Sequence, residues 1–412
     1  MEMYDVAILG ASAAGCAAAI FLVRQGARVA LIDRKSDANS YKRVCTHYLQ
    51  PSAVPTIERL GLASALETAG AARPSLEIWT PSGWIYDTGN EAEPGFNIRR
   101  EKLDPLLLRT AEGFAGVDVF LGHTFQDLLY DRGRVSGLST RSSKGTDHEF
   151  RAKLVVGADG RRSRVAESAN SWTWTRKNKR IAFYGYFENV QLPKPGVAQA
   201  WYANPDIVSV FPSDNDVVMV SVMPINDGRV DWNSDRETKL VEMLESMPNA
   251  PKLSGAKRIG PILGMTDIPV VWRRTNKPGI ALIGDAAFAP DPIWGVGCGW
   301  ALQSAEWLAE SLDGAFVSET KLDRALNRFR SAHFWRLGGH ALHMANYASG
   351  RPFYSFERLL FSAATKDKTC ARSVHAFGHR NAGVTSLMNP LLFARAIFAN
   401  ARPASAELAQ VS

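Results

Sequence analysis

The sequence predicts an α/β protein in which an antiparallel sheet is inserted into a parallel frame and the C-terminal part is helical. Three observations carry this. The first 35 residues hold a short apolar run, a small-residue helix and a second apolar run, the pattern of a βαβ unit whose strands are covered on both faces. Between about 180 and 275 the texture turns to aromatic and β-branched runs with hairpin signals. From Gly299 onward helical periodicity dominates.

Taken in order, Tyr4 to Leu9 reads as a strand, Ala13 to Gly26 as a helix stopped by glycine, and Arg28 to Ile32 as the returning strand, ending in Asp33. The apolar run Val6 to Val23 has the length of a marginal membrane span, but two glycines and a serine break it after four apolar residues. It starts behind Glu2 and Asp5 with no basic residue, so a signal peptide is not expected. Helical periodicity covers 54–69 and 101–114, and strand-like pieces lie near 117–121, 134–139 and 149–157. Arg180 to Val190 reads as a sheet strand. Asp206 to Pro224 reads as a hairpin turning at Ser213-Asp214-Asn215-Asp216. A helix is expected at about 235–247, others at 299–313, 319–346 and parts of 353–400, and the tail after Ala401 is expected to fray. The domain division is therefore 1–179 with 276–318, an inserted sheet at 180–275, and a helical region at 319–412.

At 412 residues the chain is long enough for two to three lobes, and 46% hydrophobic with 22% charged residues excludes a disordered, collagen-like or coiled-coil chain. Four scattered cysteines without a CxxC exclude a disulfide framework, a zinc ribbon and a thioredoxin-type motif, and a reducing cytoplasm is expected. Lys and Arg number 48 against 41 Asp and Glu, a net +7 with no run of five or six basic residues. Neither nucleic-acid binding nor a membrane span is expected; an anionic ligand explains a modest excess more simply. Cys370, His375 and His379, like His340 and His343, have metal-like spacing but no carboxylate partner, so no metal site is expected.

The first chemical motif is Gly10-Ala11-Ser12-Ala13-Ala14-Gly15, a G-x-G-x-x-G fingerprint with serine in the middle position. Between a strand and a helix, small residues leave the helix N-terminus open, so free N–H groups and the helix dipole face a pyrophosphate. Asp33 stands 18 residues beyond Gly15, at the end of the next strand, where an acid accepts from ribose hydroxyls. This reads as a Rossmann-type dinucleotide site. The fingerprint alone does not distinguish NAD from FAD.

Two further motifs do. Leu154-Val155-Val156-Gly157-Ala158-Asp159-Gly160-Arg161-Arg162-Ser163-Arg164-Val165 resembles the DG motif of flavoprotein hydroxylases. Ile280-Ala281-Leu282-Ile283-Gly284-Asp285-Ala286-Ala287 resembles their GD motif, followed by Pro292-Ile293-Trp294-Gly295-Val296-Gly297-Cys298-Gly299. The chain thus resembles the FAD-dependent monooxygenase superfamily, which includes para-hydroxybenzoate-hydroxylase-like enzymes, flavin halogenases and geranylgeranyl reductases. The motifs span residues 4 to 313; the C-terminal region matches nothing in that pattern.

The resemblance implies that Gly10, Ser12, Ala13 and Gly15 hold the FAD pyrophosphate and Asp33 the ribose, with Arg34 beside it. Arg43 is either a pyrophosphate ligand or a solvent-facing residue. Arg100 opens an R-x-x-L-D-like helix start whose arginine reaches the cofactor, and Asp285 accepts from the ribityl chain. Pro292 and Gly295 lead to Gly297, Cys298 and Gly299, whose N–H groups face the N1–C2=O edge of the flavin. Ala166 stands where the family often has arginine, which weakens any inference about nicotinamide docking. Cys45 and Cys298 both approach the flavin on this mapping, with small-residue packing the simplest role for them. The stretch from Tyr41 to Gln50 resembles a Ser/Cys-Thr-His segment that crosses the flavin, making His47 the candidate catalytic residue, expected to move a phenolic proton. Trp294, Phe183, Tyr184 and Tyr186 are the candidate substrate residues; alternation puts Phe183 on the face opposite Tyr184 and Tyr186.

The implied function is an FAD-dependent monooxygenase, a hydroxylase taking hydride from NADPH or NADH and oxygen through a flavin C4a-hydroperoxide to an aromatic or other electron-rich substrate. That small-molecule substrate is either free or bound to a carrier or peptide. The alternatives are a reductase of the geranylgeranyl-reductase type, favoured by the spacing Asp291-Pro292-x-x-Gly295-x-Gly297, a halogenase, or a non-catalytic flavin-binding module. Against a halogenase, Trp172-Thr173-Trp174-Thr175-Arg176-Lys177 lacks the Ile-Pro of the family's W-x-W-x-I-P.

Overall fold

The structure, a computed structural model, describes residues 3–87, 93–228, 230–232 and 234–401; the tail expected to fray lies outside them. The dinucleotide half begins with β1 (Tyr4–Leu9), α1 (Ala13–Arg24) and β2 (Val29–Asp33). Helix α2 (Arg100–Glu112) and strand β3 (Val117–Leu121) follow, then β4 (Asp147–Gly157) and β5 (Ile280–Leu282). The five strands are parallel in the order β5-β4-β1-β2-β3, with Ile8 opposite both Val156 and Leu31. Asn276–Lys277 adds an antiparallel edge, and the hairpin of His123–Asp131 and Arg134–Ser142 extends off β4. The apolar run that mimicked a membrane span is thus a buried strand, a turn and a buried helix. Among the described residues no helix is long and apolar enough to cross a membrane.

The periodic stretch 54–69 is two helices rather than one, Val54–Leu60 and Ala63–Thr68. Gly61, at φ +75°, caps the first in the left-handed conformation glycine adopts most readily.

The second sheet has seven strands in the order 257–265, 182–188, 218–223, 207–212, 197–202, 75–80 and 83–85. The expected hairpin is present, with Ile207–Pro212 antiparallel to Val218–Met223. The sheet differs from expectation in recruiting Ser75–Thr80 and Gly83–Ile85 from the N-terminal segment, the former parallel to Val197–Tyr202. A parallel partner more than a hundred residues away leaves no local trace. One sheet face buries Phe183, Trp201, Val208 and Val220 beneath the helix Arg236–Glu245. The other joins the main core through Tyr184, Tyr202, Met219 and Met223. That second face meets α3 (Gly297–Leu312), α4 (Glu319–Tyr347), α5 (Ser355–Ala364), α6 (Lys368–Gly378) and α7 (Pro390–Ala401), which build one continuous core with the dinucleotide half.

Candidate cofactor and active site

The β1–α1 turn is bare by necessity. Gly10 sits at φ +110°, and a Cβ on it would lie 2.4 Å from the Ala158 carbonyl oxygen; one on Gly15 would lie 1.8 Å from the Gly10 oxygen. Ser12 is the N-cap of α1 but its side chain does not cap, leaving first-turn N–H groups for a ligand. Its hydroxyl instead accepts from Arg100 Nη2 at 2.7 Å. Helix α3 likewise opens at Val296 without a side-chain cap. These two uncapped termini, with glycines that admit no Cβ at the β1–α1 turn, fit an FAD pyrophosphate and a flavin edge respectively.

Between them lies a buried polar knot. Arg100 and Asp104, one helical turn apart on α2, are both almost fully buried and paired at 2.5 Å. From there Arg100 Nη1 reaches Cys298 Sγ at 3.5 Å and Cys45 Sγ at 3.7 Å, and the two sulfurs stand 3.4 Å apart. The Cys298 thiol donating to Cys45 holds the Cys45 thiol well below its usual range against the effect of burial, and pushes Cys298 up. Asp33 accepts from Ala11 N at 2.7 Å and Lys35 N at 2.9 Å, so its carboxylate braces the fingerprint turn, with Arg34 exposed beside it. Asp285 is paired with Lys42 at 2.9 Å; burial opposes its charge, yet the Lys42 ammonium holds its carboxyl below the usual range. Arg43 is exposed, and its carbonyl accepts from the Tyr184 hydroxyl.

His47 is buried and held in the left-handed region at φ +62°, a position a non-glycine residue takes at some cost. Its Nδ1 accepts from Arg100 N–H at 3.1 Å, so the remaining hydrogen sits on Nε2 and is donated to the Tyr186 hydroxyl. This assigns His47 as a hydrogen donor, because the lone pair that a proton acceptor needs is already used. Tyr184 accepts from Cys45 N at 3.0 Å. Tyr184 and Tyr186 therefore face the site. Phe183 does not: it stacks on Trp232 at 5.0 Å under the helix on the other sheet face, which corrects its placement among substrate residues. Strand alternation forces that outcome once one face is assigned.

Trp294 links the site to a cavity. Gly295, at φ +61°, packs on Tyr48, while the indole contacts Tyr202 at 5.5 Å and Phe377 at 5.7 Å. A narrow cavity lies between the second sheet and α4 to α6, lined by Trp294, Tyr202, Tyr347, Phe353, Phe361 and Phe377 among others. Two pairings escape sequence reading. Arg380 stacks over the Trp294 ring at 4.3 Å and donates to His340 Nδ1 at 2.9 Å, a meeting of residues 86 apart. Asp291, fully buried, accepts from Ile293 N at 2.8 Å and pairs with the fully buried Arg180 at 3.5 Å, fixing the turn Pro292–Trp294. Asp291 belongs to the spacing read above, but its pairing with Arg180, 111 residues away, leaves no local signal.

Pro292, Gly295, Gly297, Cys298 and Gly299 are contiguous with this turn and the start of α3. Ala166 is buried and donates its N–H to Ser163 Oγ at 3.0 Å. Trp172 is exposed and the strand Thr173–Arg176 pairs with Val270–Arg273. Among the described residues no group of three His, Cys, Asp or Glu side chains is placed to hold a metal.

The chain belongs to the FAD binding domain family, which it matches over residues 3–331, and so to the superfamily of FAD-dependent oxidoreductases that includes monooxygenases. It is similar to a tryptophan 2-halogenase of Chondromyces crocatus, 26% identical over 360 residues, covering 80% of this chain and 66% of that protein, just under two thirds of its length. A digeranylgeranylglycerophospholipid reductase of Picrophilus torridus is 25% identical over 338 residues, covering 79% of this chain and 82% of the relative. Among solved structures, p-nitrophenol 4-monooxygenase PnpA from Pseudomonas putida DLL-E4 superposes with a TM-score of 0.75 at 19% identity, over 93% of this chain and 100% of that one, a likeness of fold.

Proposed function

We propose that this chain is an FAD-dependent monooxygenase that takes reducing equivalents from NADPH or NADH and inserts oxygen into an aromatic or similarly electron-rich small molecule. The observation that carries this reading is the couple of buried His47 and half-buried Tyr186, set beside the Cys45–Cys298 knot and joined through Thr46 and Tyr48 to Gly295 and the aromatic cavity. When bound, FAD supplies the electron store and the oxygen-activating centre. The chain's own residues hold and shield it. Gly10, Ser12, Ala13 and Gly15 take the pyrophosphate, with Asp33 bracing the turn. Gly297, Cys298 and Gly299 would offer N–H groups to the flavin edge that becomes negative on reduction. Arg100 ties the two helix termini together through Ser12 and Cys298. Tyr186, its oxygen engaged by the His47 Nε2–H, presents its own hydroxyl hydrogen to the reacting centre. Trp294, Tyr202 and Phe377 exclude water and position the ring.

Reduction without oxygen is the second reading, favoured by the Asp291-Pro292-x-x-Gly295-x-Gly297 spacing. The test is a visible spectrum of purified protein, then NADPH and NADH oxidation against an aromatic library with oxygen monitored. A monooxygenase consumes oxygen in proportion to product. Product formed under strict anaerobiosis overturns the proposal in favour of the reductase, and a protein that neither carries nor takes up FAD overturns both.

A further inference from the structure

We propose that the C-terminal helices form a docking face for an anionic lipid bilayer. Residues 319–401 contain 12 Lys and Arg against 4 Asp and Glu, a net +8, whereas the whole chain is +7. The excess positive charge of this protein is therefore confined to one region. Three of its four acids are already engaged, Asp323 by Arg134, Glu357 by Arg351 and Asp367 by Arg395. Among the described residues the exposed Lys321, Arg324 and Arg330 have no carboxylate partner.

The same region carries apolar side chains in solvent. Lys321, Arg324, Arg328, Trp335 and Leu342 are spaced by 3, 4, 7 and 7 residues, one stripe of α4, basic in its N-terminal half and apolar in its C-terminal half. Trp335 is 81% exposed and Leu342 68%. Between them Gly339 seats Val384, 3.2 Å from where its Cβ would stand, so the turn Val384–Met388 lies against the stripe. The turn continues the surface through exposed Met388 into α7, where Leu391 is 78% exposed and Ile397 60%. Single exposed apolar residues mean nothing, but tryptophan and aliphatic side chains gathered on helix exteriors beside lysine and arginine are the composition of an interfacial face. An acidic protein would answer the cations alone; an anionic bilayer answers the cations with its headgroups and the apolar side chains with its acyl boundary. Leu387 of the same turn also lines the cavity, together with exposed Phe356 of α5. Delivery of an apolar substrate from the lipid into the cavity follows if the proposed function holds; docking itself does not depend on it.

The test is sedimentation of the FAD-loaded full chain with vesicles of phosphatidylcholine and of phosphatidylcholine mixed with phosphatidylglycerol. Binding is expected to be at least about tenfold stronger to the anionic vesicles and to be released in about 0.5 M salt, where charges are screened within a few ångströms. Lys321→Ala with Arg324→Ala is expected to weaken binding roughly 25-fold, about fivefold for each cation. Trp335→Ser with Leu391→Ser is expected to weaken it about tenfold or more without loss of flavin absorbance. No binding to either vesicle, equal binding to both, or indifference to the cation pair overturns the proposal. The readout involves no turnover, so its failure leaves the proposed reaction standing.

Discussion

His47 carries the most specific chemistry that a single residue here supports. Its backbone is in a costly conformation, its Nδ1 is taken by Arg100 N–H, and its Nε2–H is aimed at one acceptor, Tyr186. A residue held in this way orients a neighbour. Tyr186→Phe is therefore expected to lower kcat about tenfold, the ~1.4 kcal/mol of one well-placed hydrogen bond, with little change in KM. His47→Ala is expected to cost a similar factor, and the double variant little more than either single one. Additive losses in steady-state kinetics would show that the two act separately. Gly15 tests the cofactor cradle at the same scale. With the Gly10 carbonyl 1.8 Å from any added Cβ, Gly15→Ala is expected to yield protein without flavin absorbance even after incubation with excess FAD.

Local elements were legible where a motif has a local cause. The β1–α1–β2 unit, the hairpin turning at Asp214–Asp216 and the long helix α4 all declare themselves by small-residue fingerprints, turn residues or periodicity. What stayed hidden depends on remote pairing. The strands Ser75–Thr80 and Gly83–Ile85 join the second sheet by a parallel match to Val197–Tyr202, and the face shown by Tyr184 and Tyr186 is decided only when the helix Arg236–Glu245 covers the other. The site divides along the same line: its glycines, Asp285 and the Arg100-to-Asp104 helix start were readable, whereas Arg380 reaches it through folding. The helices also carry a pH dependence. Burial holds His333 and His343 at about 4; burial also lowers His340 to about 3 and His379 to about 4, helped by Arg380 and His375 respectively. Below the free value near 6.5 the unfolded chain binds protons that the folded chain refuses, so stability is lost as pH falls from 6.5 toward 4. At pH 5 this amounts to ~2 kcal/mol for the fully buried His333 alone. Its ring is packed by Trp272, Trp307 and Phe329, and its Nδ1 has no partner. His333→Leu is expected to shrink the urea-measured loss between pH 7 and pH 5 by about that amount. An unchanged pH slope would locate the sensitivity elsewhere.

At the scale of the whole molecule, the sheet, the Trp294 turn and the C-terminal helices meet at one buried ion pair. Arg180 enters the second sheet and donates to the Pro205 and Met223 carbonyls at 3.0 and 2.8 Å, with Tyr347 of α4 beneath its guanidinium at 5.7 Å. Asp291, its partner, also accepts from Asn178 and caps the turn that carries Trp294. Both side chains are fully buried, so desolvation offsets much of their attraction and the pair as a whole contributes little net stability. Removing one partner is different, because it leaves the other charge buried and uncompensated. Arg180→Met is expected to cost about 3–5 kcal/mol in urea unfolding and to loosen the turn, seen as weaker FAD retention during gel filtration. Arg180→Met combined with Asp291→Asn is expected to recover at least about half of that loss, since the amide still accepts from Ile293 N–H without a buried charge. If the double variant is as unstable as the sum of the single ones, the pair serves through its other hydrogen bonds and not as a matched charge at the junction of the three parts.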